Sequence, residues 1–210
     1  MMTHATEGVA EDPHAFWITT QSGQHFYPKD PEGSVFDIAD IAHALSLTCR
    51  FAGHCNRFYS VAEHSVLVAQ LAESSGAGLW GLLHDASEAY LVDIPRPIKY
   101  LPEMAGYRAL ESRTTAAILE SFGLRGPEPA TVKEADRLML RSEAEALGLL
   151  RKDWDVFNWP DCGLRPVPLA PGAARRAFLQ AYARLSAPTS GVLYRRPCQF
   201  CGSASCSGEC

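Results

Sequence analysis

Residues 78–90, GLWGLLHDASEAY, constrain the fold more than any other segment. The first half is apolar on every side, which predicts a helix buried all round. It ends on His84-Asp85, with Glu88 one turn further on. Ionisable side chains are rarely buried unless they are paired or bound to a metal. At three- and four-residue spacings His84, Asp85 and Glu88 fall on roughly one side of this helix. The fold must therefore enclose a helix and also neutralise the charges at its end.

The surrounding pattern is helical as well. Residues 37–47 place Ile38, Ile41, Ala42 and Leu45 at helical spacing. Ser60-Val61-Ala62-Glu63 reads as a capping box, which opens a helix with Leu67, Val68 and Leu71 on one face. Ser74-Ser75-Gly76 ends it, and Pro95 and Pro97 stop the helix over 78–90. Further helices are expected over 103–122, 130–150 and 171–185, with a long Pro- and Trp-containing loop over 152–170. Two β-prone runs on either side of residues 21–24 predict a small hairpin. The fold class is all-α with a minor N-terminal hairpin. Residues 1–15 read as disordered, 16–185 as the folded domain, 186–197 as a linker and 198–210 as a Cys-rich tail.

Composition excludes several classes. With 47% hydrophobic and 20% charged residues the chain is not wholly disordered. A net charge of −5 argues against a basic coat for nucleic acid. No apolar run approaches the ~18 residues of a membrane span. The first residues carry neither the basic flank nor the apolar stretch of an export signal. A soluble, cytoplasmic protein is the expectation.

His64 lies in the first turn of the helix opened by Ser60. The short break after that helix predicts an antiparallel helix pair, which brings His64 beside His84 and Asp85. Any one of these as a hydrogen-bonded core residue is the simpler interpretation. Two imidazoles and a carboxylate at one end of a helix pair form a metal-ligand set instead. Mixed nitrogen and oxygen ligands suit Mn, Fe, Co, Mg or Zn.

The segments RFYSVAEHSVLVAQLAE, GLLHDASEAYLVDIPRPIK and VKEADRLML resemble the HD-domain phosphohydrolases. They are most similar to the bacterial 5'-deoxynucleotidases and phage deoxynucleotide triphosphohydrolases, over about residues 16–185. The resemblance implies an HD helical bundle with one divalent ion on His64, His84, Asp85 and Asp136. By itself Asp136 reads as a solvated helix residue. The resemblance further implies acid–base roles for Glu88 and Asp93, phosphate contact by Arg50, and Phe51 near the base. Lys99 and Arg96 add positive charge in a Pro-rich stretch whose placement stays open. The implied substrate is a (deoxy)nucleotide, mono- or triphosphate, and a homodimer is implied by the resemblance alone. The competing reading is a non-catalytic HD scaffold that binds nucleic acid or protein through its tail. Glu88 and Asp93 beside the ligands favour the enzyme.

Of seven cysteines, Cys198, Cys201, Cys206 and Cys210 crowd into the last 13 residues. Four thiolates complete a tetrahedral zinc site, and the spacing is similar to a zinc knuckle. So short a segment has no core, so a structural zinc would have to fold it. A disordered thiol-rich tail is the alternative. If folded, the tail could take RNA or a protein partner, with Arg195 and Arg196 beside it.

Overall fold

The computed structural model describes residues 12–187. The four tail cysteines and nearly all of the linker lie outside the described residues. The hairpin forms as expected: β1 (Ile18–Thr19) pairs antiparallel with β2 (His25–Phe26). Its turn is pinned to the first helix, because the Ser22 amide and hydroxyl both donate to the Asp40 carboxylate, at 2.8 and 2.6 Å. The strand drives Phe26, fully buried, against Tyr90 with ring centroids 4.7 Å apart.

The rest is helical. In order follow α1 (Ile38–Leu47), α2 (Val61–Ala72), α3 (Gly78–Leu83), α4 (Glu88–Leu91), α5 (Arg96–Lys99), α6 (Ala105–Ser121), α7 (Ala130–Ala146) and α8 (Pro171–Ser186). Asp37 caps α1 by accepting from the Ala39 amide at 2.7 Å. Ser60 and Glu63 make both halves of the capping box at the start of α2. The end of α7 comes earlier than the pattern suggests. Gly148, at φ 74°, turns the chain left-handed and stops the helix. Among the described residues no helix is long and apolar enough to cross a membrane.

The helix expected over 78–90 is instead two helices. Between α3 and α4 the amides of Ala86 and Glu88 bond three residues back, to Leu83 and Asp85, each at 3.0 Å. The tightening has a local cause. His84 Nδ1 bonds the Gly81 carbonyl at 2.8 Å, and so competes for the acceptor that the Asp85 amide would use in an α-helix. The Pro-rich stretch, whose placement the sequence leaves open, forms a short helix, α5. Pro97 lies in its first turn, where a missing amide costs nothing.

The centre of the domain is α2, packed against α1, α3, α7 and α8. Val61, Ala62 and Ala69 join a cluster with Ile41, Leu45, Leu82, Leu83, Ile118 and Phe178. Val68 and Ala72 join a second with Val132, Ala135 and Met139 of α7. The α2–α3 contact is backbone to backbone. A Cβ added at Gly81 would sit 3.0 Å from Ala69 Cα and 3.1 Å from the Val68 carbonyl oxygen. This close approach sets the first turn of α2 beside the end of α3. Gly81→Val should therefore pry the two helices apart. Denaturant unfolding should show a loss of about 1–3 kcal/mol, the usual cost of overpacking; unchanged stability would mean that the contact has slack.

Candidate metal centre

His64 is wholly buried and enters the site from the first turn of α2. Its Nδ1 is 2.7 Å from Glu143 Oε1. His84 comes from the end of α3 with its Nδ1 on the Gly81 carbonyl. Both Nδ1 atoms therefore face acceptors and carry the proton in the neutral tautomer, which leaves each Nε2 with a lone pair directed into the site. These two Nε2 atoms are 3.3 Å apart. Asp136 Oδ1 is 3.2 Å from His64 Nε2. Asp85 Oδ2 is 3.1 Å from His84 Nε2 and 3.5 Å from His64 Nε2.

Two lone pairs and two carboxylates thus converge on one point, and only positive charge can satisfy them together. Without a metal, protons supply it. Burial opposes the imidazolium of His84, but the adjacent Asp85 carboxylate outweighs it and raises the pKa to about 9. His64 is raised too, as Glu143 and Asp136 overcome burial and the Arg50 charge. Burial opposes ionisation of Asp136 as well, yet its bond to His64 holds it down to about 2. The group His64, His84 and Asp136 could hold a metal ion, with ligand atoms all within 4.8 Å of one another. Asp85 borders the same point. The donor set fits a divalent cation, which would replace the imidazolium protons.

Glu143 was not singled out in the sequence. It is wholly buried and joins three elements. Besides His64 it accepts from Tyr59 Oη at 3.0 Å and from Arg50 Nε at 3.2 Å, and it pairs with Arg50 Nη2 at 3.1 Å. Burial opposes its charge, but the Arg50 and His64 charges keep its pKa below the usual value. It orients the His64 ring, as an outer carboxylate does behind a metal-bound histidine. Its one sequence signal is its place seven residues after Asp136, on the same helix face.

Arg50 is nearly enclosed and points inward. Two of its nitrogens are taken by Glu143, while Nη1 lies 3.7 Å from Asp85 Oδ2. Phe51 follows in a left-handed conformation at φ 57°, with the Arg50 Cζ 5.3 Å from its ring centroid. Glu88 opens α4 rather than continuing the helix of His84 and Asp85. It is buried, its Oε2 has no hydrogen-bond partner among the described residues, and its Oε1 is 4.0 Å from Lys99 Nζ. Burial, then the charges of Asp85 and Asp93, push its pKa well up. Asp93 is half-buried, and burial raises its pKa as well. Arg96 lies on α5 with Lys99.

The segment that carries Glu88, Asp93 and Lys99 is braced from α6. Thr115 Oγ1 donates to Ser87 Oγ at 3.0 Å, and Glu111 Oε1 takes Lys99 Nζ at 2.7 Å. Tyr107 Oη lies 3.2 and 3.1 Å from the carbonyls of Leu91 and Val92. Spaced four apart, these three α6 residues lie on one helix face. The brace secures a strained point: Val92 adopts φ 61° and ψ 159°, a region that is almost exclusive to glycine. This kink ends α4 and sets the direction of Asp93.

Removing Glu143 should cost more than removing an exposed ligand. Glu143→Ala would leave the buried Arg50 with only the Asp85 carboxylate, 3.7 Å away, a loss of about 3–5 kcal/mol. It should also weaken divalent-metal binding by ~10–100-fold by freeing the His64 ring. Denaturant unfolding and metal titration check the two effects separately.

No family model matches the chain. Two curated proteins do. The uncharacterized protein YfdR of Escherichia coli is 42% identical over 177 residues, covering 81% of this chain and 96% of YfdR. The uncharacterized protein RCAP_rcc00048 of Rhodobacter capsulatus is 37% identical over 159 residues, covering 69% of this chain and 81% of its own length. At such identity over nearly all of YfdR, the chain belongs to the YfdR family.

Proposed function

We propose that the chain is an HD-domain, metal-dependent phosphohydrolase acting on a (deoxy)nucleotide phosphate ester. The carrying observation is the meeting of His64 Nε2, His84 Nε2, Asp136 and Asp85 at one point, with the buried Glu88 beside it, its Oε2 without a hydrogen-bond partner among the described residues. The order of these residues along the chain supports the HD reading.

A divalent ion on His64, His84, Asp85 and Asp136 would supply Lewis acidity toward a phosphoryl oxygen and acidify a water. The chain's own groups do the rest. Glu88 orients the attacking water and accepts its proton, and its burial suits a group that must hold one. Asp93 delivers a proton to the departing 5'-oxygen. The Nη1 of Arg50, the one guanidinium nitrogen not given to Glu143, donates to the phosphate. Lys99, held by Glu111, adds positive charge next to Glu88. Phe51 offers a ring for the base. Attack on a monophosphate releases phosphate, and attack at the α-phosphorus of a triphosphate releases triphosphate.

A screen of phosphate, triphosphate and nucleoside release over the deoxynucleoside mono- and triphosphates, with Mg, Mn and Co, tests the reading. Hydrolysis of none of them would remove it and favour the scaffold. His84→Ala and Asp136→Ala should each lose most of the bound metal in elemental analysis, together with activity. Full metal and full rate in Asp136→Ala would take that residue out of the ligand set. Glu88→Gln and Asp93→Asn should behave differently: metal stays, and turnover falls by ~10²–10⁴-fold.

A further inference from the structure

A pair of thiols brackets the loop that carries Arg50 and Phe51. Cys49 Sγ and Cys55 Sγ are 3.7 Å apart, and both residues are partly exposed. Each end of the loop is anchored. Cys49 forms a β-bridge with Ser60, the Arg50 amide bonds the Tyr59 carbonyl at 2.9 Å, and the Asn56 amide bonds the Leu147 carbonyl at 3.2 Å. Inside it Phe51, Ala52 and Gly53 are successively left-handed, at φ 57°, 50° and 78°. Two of these are non-glycine residues held in a costly conformation, so the loop has little slack. A disulfide bond measures about 2.05 Å. The sulfurs therefore have to close by about 1.6 Å, and in a loop with so little slack that closure is felt by the residues between them.

We propose that Cys49 and Cys55 form a dithiol site that a small-molecule disulfide, such as oxidised glutathione, converts to an intramolecular disulfide, tightening the loop of Arg50 and Phe51. The Cys49 thiolate attacks one sulfur of the glutathione disulfide; that S–S bond breaks and one glutathione thiolate leaves. Cys55 then gives its proton to water and attacks the Cys49 sulfur, and the second glutathione departs. Two protein thiols are oxidised, and one glutathione disulfide is reduced to two thiols. Cys55 suits the resolving role, because burial and its contact with Cys49 keep its thiol protonated longer. The effect on substrate rests on the phosphohydrolase reading. Tightening moves Phe51 and the free side of Arg50 but none of the metal ligands, so KM should rise about tenfold with kcat little changed.

The full chain is incubated with oxidised glutathione, blocked with iodoacetamide and digested with trypsin. Cleavage after Arg50 separates the two cysteines, so the disulfide is read as the peptide ending at Arg50 linked to residues 51–57. That linked pair should dominate, vanish with dithiothreitol and be absent from Cys49→Ser. Persisting glutathione adducts without the linked pair, or linkage to Cys162 or the tail cysteines instead, would overturn the site. Amide exchange over residues 50–55 should slow on oxidation, and unchanged exchange would overturn the tightening. An unchanged KM in fully linked protein would overturn its effect on substrate. Absence of hydrolysis in both redox states would instead refute the phosphohydrolase reading, and leaves the peptide and exchange results to decide the thiol site.

Discussion

A single buried carboxylate holds the candidate site together. Glu143 reaches from α7 to Arg50 and Tyr59 on the loop before α2, and to His64 inside α2. A charge at zero exposure would be intolerable alone; here the Arg50 guanidinium and two further donors, Tyr59 and His64, surround it. Because its partners lie on separate elements, the carboxylate ties the position of α7 to that of α2. Asp136, two turns earlier on α7, is thereby brought to the lone pair of His64. The candidate metal-binding point is thus a consequence of how one internal ion pair is satisfied.

Around that point the backbone repeatedly leaves regular structure. The helix tightens at His84, Val92 takes a glycine-like conformation, and Phe51 and Ala52 are left-handed. Each departure is matched by a fastening: the imidazole on Gly81, Tyr107 on the Leu91 and Val92 carbonyls, and the bridge between Cys49 and Ser60. Strained segments persist when their surroundings over-determine them. In the proposed hydrolase, these are the places where Asp93, Arg50 and Phe51 must be aimed rather than merely present.

The charge pattern has the same logic. His64, His84, Asp85 and Asp136 are shifted toward their charged forms, while Glu88 and Asp93 are shifted toward their neutral ones. Burial acts on all of them. What separates them is company: the first set face opposite charges at contact distance, whereas Glu88 feels mainly Asp85 and Asp93. A site with groups driven in both directions suits ligand and proton-handling roles side by side.

Much of this was legible in the chain. Apolar spacing, the Ser60–Glu63 capping box and the hairpin turn are local signals, so α1, α2, the hairpin and the all-α class follow from the sequence. The pairing of His64 with His84 also follows, since a short break between two helices leaves few ways to pack. The break at His84, the kink at Val92 and the role of Glu143 were not legible. The first depends on where one imidazole bonds, and the second on a tyrosine from α6. Glu143 looks like any helix glutamate until Arg50, Tyr59 and His64 close around it. Local propensity and spacing determine which elements form, because their hydrogen bonds and turns involve near neighbours. Which charges are buried, and against what, was decided only by tertiary packing, since the compensating partners lie as far as 93 residues apart.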